Sequence, residues 1–336
     1  MDSDMHEGSL SKYTLNMSES GKSVRICSLS SDVSDNIIAA ALSDHPDRET
    51  VILQEVRITK KIESALLNMP KLSSLALQSG SFSSLSFLGE ARHLTELTLR
   101  WGCSKGIGDV RQLKRLNADS DEITDMSVLE PLQELEELHF SSGYGGDFPA
   151  SSEIYNVSPL KYLPKLHTLS LSFRGKDLSG FAELSQIKTL ILDIDSRFDD
   201  LEPIGKLTQL EGLGLSSSYS RRHKITDITP LAALINLRIL RISDEKVKSL
   251  ESLKFMSKLQ KLDCSKNHIR TVKPLENLFE LQDLDIRHNS IRSIAPLKKL
   301  TKLTSLSLRG NPILDYSPIR ELPNYEPDWE SNGSLI

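Results

Sequence analysis

Apolar side chains recur along this chain at a fixed spacing. Between Asn267 and Ile313 the pattern runs twice and begins a third time. Asn267, Asn289 and Asn311 stand 22 residues apart, and so do Leu259, Leu281 and Leu303, Leu262, Leu284 and Leu306, and Pro274, Pro296 and Pro318. The first leucine of each L-x-x-L-x-L unit falls at Leu72, Leu94, Leu113, Leu135, Leu166, Ile187, Leu210, Leu237, Leu259, Leu281 and Leu303, which makes 11 units. A period of this length marks a solenoid. In each unit an alternating stretch such as Leu262-Asp263-Cys264 predicts a short strand whose every second side chain points inward. An isoleucine closes the turn, and a "PLxxL" segment brings the chain back. One unit cannot cover its own apolar row, but a stacked neighbour completes it. Each well-buried aliphatic contributes about 1.5–3 kcal/mol, so several per unit offset the cost of ordering it. The period leaves free the strand side chains that face away from the core. Those are the positions a partner can read.

The ends depart from the repeat. Ser23–Leu29 reads as a strand, the stretch after Asp32 or Ser34 as a helix that stops before Pro46, and Thr50–Ile58 as a second strand. Residues 23–70 are therefore expected to form a β-α-β cap, 71–322 the repeats, and 323–336 a C-terminal cap and tail. Leu322, Tyr325 and Trp329 are candidates to cover the last unit. Residues 1–22, polar and acidic, read as a disordered tail.

Composition agrees with a thin, extended core. Among 336 residues, 38% are hydrophobic and 5% aromatic, low values for one large core. A net charge of −5 gives no clustered positive field for nucleic acid or an anionic membrane. Three scattered cysteines suggest a reducing compartment. With no signal-peptide layout and no long apolar run, a cytoplasmic location is expected. Secretion without a conventional signal peptide is the alternative.

The string N-x-I-x-x-I-x-P-L-x-x-L-x-x-L-x-x-L-x-L resembles the short 22-residue class of leucine-rich repeats, found in bacterial internalins and in the leucine-rich regulator of protein phosphatase 1. Ile225–Leu240, "ITDITPLAALINLRIL", is especially internalin-like. The resemblance covers roughly residues 50–322. It implies an α/β chain wound as a right-handed horseshoe, with a parallel sheet on the concave face and short turns or 3-10 segments on the convex face. It also implies protein binding as the usual task. One departure is the turn asparagine, present only at 267, 289 and 311. Gly80, Gly102, Asp121, Gly143, Arg174, Asp195, Ser218 and Glu245 stand there in the earlier units, so the N-terminal two-thirds is expected to be less regular.

No catalytic constellation emerges. Gly21-Lys22-Ser23 resembles the end of a phosphate-binding loop, but Asn16 stands where that loop needs glycine, and the stretch precedes a strand. The acids of Asp193–Asp200 lack the glycine and distal glutamate of a calcium loop and read as a solvated turn. The eight histidines show no metal spacing. Cys264 sits at the inward position that Ile286 and Leu308 fill in later units, a core place. Neither catalysis nor a cofactor is expected.

Binding residues are sought at the positions two, four, six and seven after each first leucine. These 44 side chains include eight acids, seven bases and 13 serines, a balance that again excludes nucleic acid. Interfaces draw most of their energy from a few Trp, Tyr and Arg anchors. Trp101 and Phe173 hold the last outward position of their strands. Two units carry insertions just after the strand, Ser141–Glu153 and Ser216–Lys224, which leave from the same edge because all strands run one way. Tyr144, Phe148, Tyr219, Arg221 and Arg222 are thus expected along one rim. The second candidate surface is a charged lattice of Arg241, Asp263, Asp285, Arg287 and Arg309, where cross-strand ion pairing competes with recognition. The resulting expectation is a monomeric, non-catalytic scaffold or adaptor that binds another protein. A regulatory subunit of a phosphatase or other enzyme and a bacterial effector delivered into a host cell are the alternatives.

Overall fold

The computed structural model describes residues 13–18, 20–28, 34–100, 103–119, 123, 125–140, 154, 156–173, 177–194, 200–217, 224–320 and 322. They fall into two compact units, Met1–Glu153 with Tyr162–Leu166, and Ile154–Lys161 with His167–Ile336.

In the first unit the period-2 alternation yields strands β1 (Tyr13–Met17), β2 (Ser23–Ser28), β3 (Thr50–Gln54), β4 (Ser74–Gln78), β5 (Glu96–Arg100), β6 (Arg115–Asp119) and β7 (Glu137–Phe140). From β2 to β7 each strand lies parallel to the one before it. β1 is the exception. It falls inside the stretch expected to be a disordered tail, yet it runs antiparallel along β2 from Tyr13 opposite Ser28 to Met17 opposite Val24. The Gly-Lys-Ser stretch makes this possible. Gly21 takes φ +67° and donates its amide to Ser18 O at 2.8 Å, closing a hairpin turn. β1 thereby pairs the backbone groups that β2 would otherwise present at an open sheet edge.

The cap helix α1 (Asp35–Ser43) starts where Ser34 accepts the Asn36 amide at 3.3 Å. It buries Ile38, Ala41 and Leu42. A second helix, α2 (Lys60–Leu67), follows β3 and buries Ile62, Ala65 and Leu66, one stripe at i, i+3, i+4 spacing. After β4 the return segments shrink to 3-10 turns and one four-residue α-helix, Glu202–Gly205, because each carries only one or two core leucines.

The second unit contains β8 (Thr168–Phe173), β9 (Thr189–Ile194), β10 (Gly212–Ser216), β11 (Ile239–Arg241), β12 (Lys261–Asp263), β13 (Asp283–Asp285) and β14 (Ser305–Ser307), all parallel and in sequence order. The first leucine of each unit is sealed, as are the residues three and five places later. Leu237, Leu240 and Ile242 show the pattern, and Leu281, Leu284 and Ile286 repeat it. Aspartates open the return turns. Asp227 accepts the Thr229 amide and Asp315 the Ser317 amide, each at 2.8 Å.

At the end of a six-residue strand the seventh position after the first leucine is not an outward one. In the six-residue strand β8 the pleat continues, so Phe173 turns inward with Leu169 and Leu171. It is buried edge-to-face on Phe181, ring centroids 5.1 Å apart. Phe173 is therefore a core residue and not a rim anchor. Ile194 at the end of β9 is buried in the same way. Where the strand is shorter, the seventh residue leaves the pleat with positive φ, at Ser79, Asp244, Lys266, His288 and Gly310. Its amide then bonds the next unit, as Lys266 N does to Arg287 O at 2.7 Å.

From β11 onward the strands drop to three residues, and the turn asparagines explain it. Asn267 accepts the Val247 amide at 2.9 Å and donates to the carbonyls of Ile242, Cys264 and Ser265. Asn289 does the same with the Ile269 amide and the Cys264 and Ile286 carbonyls, and Asn311 with Ile291, Ile286 and Leu308. A side-chain amide thus takes over carbonyls that a longer strand would bond through its backbone.

Candidate functional site

The strands place two rows of side chains on the outward face of the second unit. One row reads Thr189, Gly212, Ile239, Lys261, Asp283, Ser305; the other reads Ile191, Gly214, Arg241, Asp263, Asp285, Ser307. Ile191 and Ile239 are 44% and 38% exposed on this face. Between them lies β10, whose first two outward positions are glycine and whose third is Ser216. A Cβ at Gly214 would meet nothing nearer than Ile191 at 3.6 Å, so the floor there is open backbone with ordinary van der Waals room. The result is a shallow apolar strip bordered by Arg241.

Charge on this face is incompletely neutralised. Among the described residues neither Arg241 nor Arg309 has an ion pair. One pair of Arg287 lies within its own unit, Nη2 to Asp285 Oδ2 at 2.6 Å. Arg241 lies four places after its first leucine, and Arg287 and Arg309 six places after theirs, so they occupy different rows. The outward face of the first unit is different. Arg115 bonds Glu96 on the neighbouring strand, and Glu137 lies in register on its other side. His139 comes within 3.7 Å of Glu137. Those charges are already answered from within.

The second insertion has a built foundation. Glu245, which replaces the turn asparagine, is 4% exposed. Its carboxylate accepts the Ser217 amide at 2.9 Å, the Ser217 hydroxyl at 2.7 Å and the Ile225 amide at 2.8 Å. Both stems of the insertion are thus held by one side chain. Lys224 completes the cluster with bonds of 3.3 Å to Ser217 O and to Asp244 Oδ2. Burial pushes the Glu245 carboxyl above its ordinary value, while the Ser217 and Ile225 hydrogen bonds and the Lys224 charge pull it back. Trp101, Tyr144, Phe148, Tyr219, Arg221 and Arg222 lie outside the described residues.

Sequence reasoning passed over Ile191 and Ile239, although their signal was present. They are large apolar residues at places where nearly every other unit has serine, threonine, glycine or a charge.

Reactive chemistry is not assembled in this region. Burial, with Asp263 and Asp285 nearby, pushes the Cys264 thiol far above its ordinary value, which makes it inert. Among the described residues no group of His, Cys, Asp and Glu is arranged to hold a metal ion. No helix among them is long and apolar enough to cross a membrane.

Residues 280–324 match the family model for leucine rich repeats (2 copies). No curated protein matches the chain. Among solved structures, the chain is similar to an internalin, InlF, of Listeria monocytogenes, at 24% identity over 91% of this chain and 85% of that one, with a TM-score of 0.65. A leucine-rich-repeat protein of Leptospira interrogans is 20% identical over 85% of this chain and 79% of that one, with a TM-score of 0.58. The plant peptide hormone receptor RGFR1, in complex with RGF2, is 16% identical over 85% and 55%, with a TM-score of 0.53. The sealed leucine columns and the parallel strands joined mostly by 3-10 returns give this chain a leucine-rich-repeat fold, in keeping with the family match of residues 280–324.

Proposed function

We propose that the chain is a non-catalytic protein-interaction module whose partner docks on the outward sheet face of the second unit, around Ile191, Ile239 and Arg241. One observation carries this reading. Two large aliphatic side chains stand exposed across a glycine floor beside a guanidinium with no ion pair among the described residues, on a face the core does not need. Exposed apolar surface beside a lone arginine is the composition of an interface anchor. The plant receptor of this fold, solved with RGF2 bound, is in keeping with repeats used as a binding surface.

A second reading rests on Glu245, whose bonds to Ser217 and Ile225 give the insertion between them fixed stems. On that reading the rim residues Trp101, Tyr144, Phe148, Tyr219, Arg221 and Arg222 are the anchors. The two are separated by capture from native lysate with three forms of the chain. These are the wild type, Ile191→Ser with Ile239→Ser and Arg241→Glu, and Trp101→Ala with Tyr219→Ala. Loss of a hot spot of 2 kcal/mol or more weakens capture by about thirtyfold. The outward-face variant is expected to show that loss. Normal capture by it, with loss in the rim variant, would move the site to the insertions.

A further inference from the structure

At the edge of the second unit where the strands begin, a cleft of about 280 Å³ is lined by Lys188, Gln209, Glu211, Asn236, Arg238 and Lys258. Lys188, Glu211 and Arg238 follow the first leucine of three successive units, and Gln209, Asn236 and Lys258 precede it. The backbone beneath them is firmly tied. The carbonyls of Lys188, Glu211 and Arg238 each accept two amides from the next unit, between 2.7 and 3.1 Å. The neutral amides are spent on the fold, Gln209 on the Leu184 and Ile187 carbonyls and Asn236 on Thr208 O. Lys258 is steadied by Asn236 Oδ1 at 2.7 Å.

The charges are not balanced. Three cations line the cleft against one carboxylate, a surplus of two. Glu211 lies 3.6 Å from Lys188 Nζ and 3.5 Å from Arg238 Nε. Charge-assisted hydrogen bonds are shorter, about 2.7–2.9 Å. Both cations therefore feel the carboxylate but keep donors for another acceptor. A phosphate monoester carries about −1.5 to −2 charge at pH 7 and three strong acceptor oxygens. It matches the surplus in charge, and the planar Arg238 fork suits two of its oxygens.

We propose that this cleft binds a phosphate monoester, held by Lys188, Arg238 and Lys258, with Glu211 as the internal counter-charge that sets its affinity. The site lies apart from the strip of Ile191 and Ile239 and does not rest on the partner reading above.

The test is calorimetric titration of the full chain with inorganic phosphate and, separately, with O-phosphoserine. Saturable one-site binding of O-phosphoserine, at least as tight as that of phosphate, is expected. Arg238→Gln with Lys258→Gln should weaken it by about tenfold or more, the loss of at least one charge-assisted hydrogen bond. Glu211→Gln should tighten it, since the carboxylate competes for the same cations. All these side chains are exposed or half-buried, and unchanged thermal midpoints would show that the variants fold. Absence of saturable binding, or affinity indifferent to both variants, overturns the site. Binding of inorganic phosphate without O-phosphoserine overturns the monoester and leaves a free-ion site.

Discussion

Glu245 accepts the amide hydrogen of Ile225 at 2.8 Å, the place in the repeat where Asn267 accepts that of Val247 at 2.9 Å. A carboxylate thus does the work of a carboxamide oxygen, but it cannot replace the NH2 donor when ionised. The Ser217 hydroxyl and amide fill its remaining lone pairs instead. The substitution gives a buried charge where the later repeats are neutral, and that has a consequence in pH.

Burial raises the Glu245 carboxyl above its ordinary value. A group raised on folding contributes stability that is full below its unfolded value and is lost as pH rises through the folded one. Asp125, Asp177, Asp227 and Asp315 act with the opposite sign, because hydrogen bonds from the residues two places on hold them low. Their contribution is present at neutral pH and is lost on acidification. Glu245→Gln should therefore remove only the component that declines with rising pH. Urea midpoints of wild type and variant, measured from about pH 4 to 8, should differ with pH in that direction. Parallel curves would mean that Glu245 is ordinary in acidity. Glu245→Ala, which strands the Ile225 and Ser217 amides, should cost about 2–4 kcal/mol, with the larger loss at low pH.

Asn289 bonds the Ile269 amide and the carbonyls of Cys264 and Ile286 from a buried position. Asn289→Ala leaves these groups unpaired away from water. The expected loss is about 3 kcal/mol, against less than about 1 kcal/mol for the exposed Ser290→Ala. Equal denaturation midpoints would show that water replaces the side chain without cost.

The parts legible in the sequence were those fixed by period. The spacing of leucines set the register within the repeats, from β4 to β7 and from β8 to β14, because a one-residue slip would turn the inward column out. The turn asparagines and the inward Cys264 followed from the same count. Phe173 was misplaced because parity was abandoned at the end of the strand, where a turn was expected and the pleat continued. β1 was missed because its partner is reached through a hairpin and not through the repeat. Ile191 and Ile239 were readable but unread. Glu245 was noted only as a departure from asparagine, since its Ser217 partner lies 28 residues back across an insertion. Long-range polar pairs leave no local pattern.

Cys264 is buried, whereas Cys27 and Cys103 are half-buried. A thiol reagent applied to the native chain should label Cys27 and Cys103 and leave Cys264 unreacted, because both access and thiolate formation are denied there. In denaturant all three should react at similar rates. Labelling of Cys264 in step with the others under native conditions would reveal local opening around β12.

The outward face can be tested at two adjacent residues. Ile239 is 38% exposed and Leu240 is 0% exposed, so a strand that turns over between them puts one on the proposed binding strip and the other in the core. Leu240 stacks in register with Leu213 and Leu262. Leu240→Ala removes a packed side chain and leaves a cavity, at a cost of about 2–5 kcal/mol. Ile239→Ser removes apolar surface that water already reaches, and should cost less than about 1 kcal/mol. Measured by urea denaturation, the two should separate by at least about 0.5 M if the slope is about 2 kcal/mol/M. The comparison also protects the binding test, since a loss of capture in an Ile239 variant means a lost contact only if the fold keeps its stability. If Ile239→Ser unfolds the chain as readily as Leu240→Ala, the side chain belongs to the core and the strip is not a docking face.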